Sequence, residues 1–150
     1  MPSWKRCKGA GKGLHTHERL DDKQLREYPP LALAFIGDAV LELAVRTRLV
    51  TGARRKMKDL HLETVGVVKA ENQARLVRDI MGELSVAEQD IIRWGRNAHS
   101  TPPRNANPAD YSLSNGFETL LGYLYLKGDE ERLLSLVEQA LRQAECSNHD

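Results

Sequence analysis

Leu31-Ala32-Leu33-Ala34-Phe35-Ile36-Gly37-Asp38-Ala39-Val40-Leu41-Glu42-Leu43 is the stretch on which the reading of this chain turns. Apolar residues recur at Leu31, Ala34, Phe35, Leu41, Val45 and Leu49, the spacing of one face of a helix. Asp38 falls on the same stripe. Nearly every neighbour one turn away is apolar, and burying an unpaired carboxylate is costly or forces its protonation. A second core-type stretch, Phe117-Glu118-Thr119-Leu120-Leu121-Gly122-Tyr123-Leu124-Tyr125-Leu126, repeats the anomaly with Glu118. Two apolar helices that each carry a misplaced acid suggest acids that meet a common partner. A divalent cation is the partner that costs least.

Outward from these stretches, every periodic segment reads as helix. Pro29 and Pro30 suit a helix start, and Gly52 is a stop. A second helix is predicted from about Lys58 to Met81, with Leu60, Thr64, Val67, Val68, Ala74, Val77 and Met81 facing inward. Ser85 and Glu88 form a capping-box pattern for a third, which carries Ile91 and Ile92 toward Trp94. Residues 95–110 hold Pro102, Pro103 and Pro108 and read as a long functional loop. A fourth helix is expected from Ser112 or Ser114 to Leu126, apolar on nearly all sides and therefore central. After Gly128, Asp129 caps a last amphipathic helix lined by Leu133, Leu136, Val137, Ala140, Leu141 and Ala144. With no β-alternation, the fold class is all-α.

The chain has 150 residues, enough for one domain, and only 5% aromatic residues, so its core must be aliphatic. Residues 1–28 read as a flexible basic extension and 29–146 as the folded domain. The net charge is +1, but the charge is segregated. Arg54, Arg55, Lys56 and Lys58 cluster, and residues 91–109 carry Arg93, Arg96, His99 and Arg104 with no acid. Such segregation fits a polyanion-binding face, against the plainer reading of a solvated surface. Cys7 and Cys146 form no motif, which fits a reducing cytoplasm. No apolar run is long enough to span a bilayer, and the start lacks the apolar segment of a signal peptide. His15 and His17 belong to the expected tail rather than to a metal site.

Gly37 and Gly122 each lie close to one of the anomalous acids. A glycine on a buried helix lets a neighbouring backbone come near. If the two helices cross there, Asp38 and Glu118 face each other. The competing reading makes each acid a satisfied structural group, capped by an arginine. Glu42 is one turn after Asp38 and either joins the site or pairs with Arg46. Oxygen-only ligands suit Mg²⁺ or Mn²⁺ rather than zinc, and Mg²⁺ binds through one or two carboxylates plus phosphate oxygens. That chemistry points to a phosphodiester substrate.

At these residues the sequence resembles a known family. Residues Ala34 to Leu43 resemble the signature helix of ribonuclease III, and Phe117 to Leu126 resemble its second catalytic helix. Trp94-Gly95-Arg96-Asn97-Ala98-His99-Ser100 resembles the Arg-Gly-Arg-Asn-Ala-Lys-Ser segment of the family's short form, which lacks the double-stranded-RNA-binding domain. The resemblance implies a ribonuclease III endonuclease-domain fold, an obligate homodimer and Mg²⁺-dependent cleavage of double-stranded RNA. It implies a stem of the large-subunit ribosomal RNA precursor as substrate, with no nucleotide cofactor and no membrane. Asp38 and Glu118 take the catalytic and metal-binding positions. Two positions depart from the full-length pattern: Ala34 stands where a glutamate is usual, and Asn115 where an aspartate is usual. Asn115 still offers a carbonyl oxygen or holds a water.

These departures motivate an alternative, a catalytically weak relative that binds or chaperones double-stranded RNA. A helical interaction module with incidental acids is a third reading, and it leaves both acids unexplained. Without an accessory domain the duplex must be held by the chain's own surface, which reads phosphates and 2′-hydroxyls. The segment with Arg93, Arg96, Asn97, His99 and Arg104 is the first candidate, with Arg54, Arg55 and Lys56 as the second. Loop-folding hydrogen bonds are the competing role for Arg96 and Asn97, and core or interface packing for Trp94.

Overall fold

The computed structural model describes residues 17–147. It contains α1 (Asp22–Arg26), α2 (Pro30–Gly52), α3 (Met57–Val68), α4 (Ala70–Ile80), a 3₁₀ turn (Met81–Glu83), α5 (Val86–Arg96), α6 (Pro108–Lys127) and α7 (Glu130–Ser147). No strand occurs among the described residues, so the fold is all-α.

Helix α6 is the axis of the molecule. It touches α1, α2, α4, α5 and α7, and Phe117, Leu120 and Leu121 on it are fully buried. A helix this apolar must be enclosed on most sides. Its closest neighbour is α2, and the two backbones meet without intervening side chains. A Cβ on Gly37 would overlap the Glu118 carbonyl oxygen and stand 2.9 Å from the Gly122 amide. A Cβ on Gly122 would overlap the Leu33 carbonyl oxygen. Each glycine therefore vacates the space that the other helix's backbone occupies. The Thr119 hydroxyl adds a tie, donating to the Pro30 carbonyl at 3.2 Å.

The capping chemistry follows the sequence where a motif exists. Ser85 and Glu88 close the capping box at 3.1 and 3.0 Å. Gly128 ends α6 in the left-handed conformation at φ 85°, and the Asp129 side chain accepts from the Arg132 amide at 3.3 Å.

Three expectations are corrected. The helix expected over 58–81 is two helices, broken at Lys69 in extended backbone (φ −60°, ψ 146°). The Val65-Gly66-Val67-Val68 run is poor in helix formers. At the break the Gln73 side chain donates to the Val68 carbonyl at 2.7 Å. Helix α6 starts at Pro108, earlier than Ser112, because Asn107 caps the Asp110 amide at 3.1 Å and Pro108 fits the first helical position. Helix α5 runs on to Arg96, so Arg93 and Arg96 lie on its last turn rather than in a loop.

The expected flexible extension over 1–28 differs from the structure from His17 onward, and residues 1–16 lie outside the described residues. The Leu20 amide donates to the Leu126 carbonyl at 3.0 Å, and Leu25 is fully buried. The Tyr123 hydroxyl donates to Asp22 at 2.6 Å. Asp21 and Gln24 form a capping box for α1 that the sequence reading did not use. Trp94 is half-buried against the core, with the Arg26 guanidinium 4.7 Å from its ring centre.

The glycine crossing sets the first prediction. Gly122→Ala will destabilise the protein by more than about 3 kcal/mol, because backbone must move to admit the methyl group. Gly66→Ala, on open helix surface, will stabilise it by about 0.5–1 kcal/mol. Denaturant melts of both variants beside the parent check the contrast.

Candidate active site at the helix crossing

The glycines that let α2 and α6 touch also fix where the two acids sit. Asp38 follows Gly37 directly, and the Glu118 carbonyl is the group against which Gly37 packs. Residues far apart in sequence are thereby placed on one crossing. Their carboxylates interact: the charge on Asp38 raises the pKa of Glu118.

The two acids have different surroundings. Glu118 is half-buried, and desolvation, with Asp38 as a smaller contribution, pushes its pKa up to about 7. The Gln73 amide nitrogen donates to Glu118 Oε1 at 2.9 Å and opposes that rise. Asp38 is exposed, and its pKa is raised by partial desolvation and then by the nearby Glu42. The expectation that both acids are buried is thus corrected for Asp38, because its turn of α2 opens onto a groove rather than onto the core. No arginine caps either acid among the described residues, as the competing structural reading required.

The other expected residues fall into place less closely. Glu42 pairs with Arg46 at 2.6 Å, the structural option left open for it. Asn115 is buried, and its amide donates to Ser100 Oγ at 3.3 Å, pinning the 97–107 loop to α6. Ala34 is buried and carries no ligand atom. Among the described residues no group of three or more Asp, Glu, His or Cys converges. Asp38 and Glu118 are the groups that can hold a hard cation here, and further oxygen ligands must come from solvent or substrate.

Both basic segments lie at the surface. Arg55 pairs with Glu63 at 2.8 Å and Arg93 with Asp90 at 3.5 Å. Arg96 Nε donates to the Asn97 side chain at 3.3 Å, the loop-folding role named for that pair. Arg54, Lys56, His99 and Arg104 are exposed without an ion pair among the described residues. The residue that the sequence reading missed is Gln73. Its signal was available in principle: a long polar side chain at helical spacing from the apolar Leu76, Val77 and Ile80 of α4.

Comparison with known proteins agrees with this architecture. Residues 31–129 match the ribonuclease III domain. The chain is 44% identical over 133 residues to Mini-ribonuclease 3 of Thermoanaerobacter sp. (strain X514), spanning 88% of this chain and 94% of that one. It is 47% identical over 114 residues to Mini-ribonuclease 3 of Gloeobacter violaceus, spanning 76% and 83%. The crystal structure of a Fusobacterium nucleatum protein superposes with a TM-score of 0.72 at 25% identity, over 79% of this chain and 95% of that one. Fold and matched span together define an endoribonuclease of the ribonuclease III class. The chain belongs to the ribonuclease III family, in its Mini-ribonuclease 3 branch.

The raised pKa of Glu118 gives a pH prediction. Between its ordinary value of 4.5 and about 7, the folded state binds more protons than the unfolded state. Stability without metal therefore falls as pH rises through that window and stays low above it. Glu118→Gln removes the penalty. In chelator, the variant will exceed the parent by up to roughly 3 kcal/mol at pH 8 and gain nothing near pH 4. Equal melting gaps at both pH values would contradict the burial of this carboxylate.

Proposed function

We infer that this endoribonuclease cuts double-stranded RNA with Mg²⁺, or Mn²⁺ as a substitute, and matures a stem of the large-subunit ribosomal RNA precursor. One observation supports this best: two acids from distant helices sit on one glycine-lined crossing, close enough for one to shift the other's pKa. The donor set suits the ion. It is all oxygen, and Glu118 is held where its charge is costly until a cation lies beside it. A bound Mg²⁺ would supply neutralisation of phosphate charge and a more acidic water, and hydrolysis of the strand would give a 5′-phosphate and a 3′-hydroxyl. Asp38 and Glu118 would hold it. Neither Ala34 nor Asn115 is needed for a site that the RNA phosphate completes.

The duplex is held by charge and shape. Arg54, Lys56, His99 and Arg104 supply unpaired cationic or polar groups on the surface, and Arg55, Arg93, Arg96 and Asn97 border them in sequence. The reading also includes a homodimer. Phe35 is 82% exposed and Leu43 55% exposed, on the face of α2 that borders a groove of about 540 Å³. Ile36, Val40, Tyr125 and Leu133 line that groove, and Asp38 and Glu42 lie at it too. A knob and a groove on one face are self-complementary about a twofold axis. The covering partner is a second copy of the chain, seated beside the acids. The described residues include no helix long and apolar enough to cross a membrane, and we place the protein in the cytoplasm, where the exposed thiol of Cys146 stays reduced.

Two experiments test the reading. With duplex RNA and Mg²⁺, Asp38→Asn will lose at least about a hundredfold in cleavage and keep its RNA affinity, whereas Arg54→Gln with Arg104→Gln will weaken affinity and flatten its salt dependence. Cleavage by Asp38→Asn at the parent rate rejects the site. In sedimentation equilibrium, Phe35→Asp will convert a dimer to a monomer without loss of helix content. A parent that sediments as a monomer rejects the dimer.

A further inference from the structure

Gln73 lies in the first turn of α4 and is 2% exposed. Its amide nitrogen donates both hydrogens: one to the Val68 carbonyl at 2.7 Å, the other to Glu118 Oε1 at 2.9 Å. A backbone carbonyl only accepts, so the amide has a single workable orientation. Turned over, it would set oxygen against oxygen. That orientation leaves Gln73 Oε1 buried with no hydrogen-bond partner among the described residues. The unsatisfied acceptor is a standing cost, set against the two bonds that the amide nitrogen makes. The bond to Val68 serves the break between α3 and α4. The bond to Glu118 reaches the candidate site.

We propose that Gln73 is a positioning residue for Glu118: it fixes one carboxylate oxygen and leaves the other available for the divalent cation. The proposal rests on the reading that Asp38 and Glu118 hold Mg²⁺. Its chemistry is specific. An arginine or lysine in this place would neutralise Glu118 and compete with the cation. A neutral amide orients the carboxylate and leaves its charge for the ion. The second hydrogen bond anchors that amide to the break between α3 and α4, so the donor itself is held at both ends.

The test is a Mg²⁺ titration of thermal unfolding in the full chain, with no RNA present. Gln73→Met keeps the length of the side chain and removes both donors. It will raise the Mg²⁺ midpoint by roughly tenfold or more, the usual loss when a partner of a metal ligand is removed. Its melting temperature in chelator will fall modestly, because the Val68 carbonyl and Glu118 lose their donor. A lowered melting temperature with an unchanged Mg²⁺ midpoint would show a purely structural glutamine and overturn the proposal. If Gln73→Met does not fold, Gln73→Asn, which withdraws the amide by one methylene, is read the same way. Glu118→Gln separates the two levels. If it leaves the Mg²⁺ response intact, the metal reading itself falls. If it abolishes the response while Gln73→Met keeps the parent midpoint, only the role of Gln73 falls.

Discussion

The approach of α2 to α6 at Gly37 and Gly122 is the constraint from which the rest of the structure follows. Two helix backbones come within contact distance, so their relative position is set by main-chain atoms rather than by side chains that can repack. A rigid crossing suits a site whose acids must hold one geometry. Because Asp38 is next to one glycine and Glu118 supplies the carbonyl against the other helix, the same contact builds the core and places the carboxylates.

The crossing also explains the unequal pair. Glu118 lies on the helix that α1, α2, α4, α5 and α7 pack around, and it is desolvated as a result. Asp38 lies on the outward side of α2, at the groove, and stays in contact with solvent. A site with one acid rooted in the core and one facing outward is open to substrate and still anchored. Gln73 enters from the third direction, through α4, and connects the α3–α4 break to the buried acid. Three helices therefore converge on Glu118.

Much of this was legible beforehand. The 3.6-residue spacing of aliphatic residues revealed an all-α chain, and local chemistry located α2, α5 and α7, since Pro30, Ser85–Glu88 and Asp129 act within a few residues of themselves. Asp38 and Glu118 stood out as charges on apolar stripes, and they are the acids of the candidate site. The misses have separate causes. The break at Lys69 was hidden because both flanking segments keep helical periodicity, and the periodicity carries no mark of a single extended residue. Residues 17–28 carry few apolar groups, so their docking through Leu20, Leu25 and Asp22 onto the end of α6 was invisible. The start of α6 was placed late because the prolines around it read as loop, although Asn107-Pro108 is itself a start signal.

By itself the sequence determined the all-α class, most of the helices and the candidacy of the two acids, because these depend on local periodicity and on residue chemistry. Only the tertiary structure decided which acid is buried, which basic residues are already paired and which side chain holds Glu118. Those are properties of contacts between α2, α4 and α6, and burial and hydrogen bonding across elements have no signature in the order of residues along one of them.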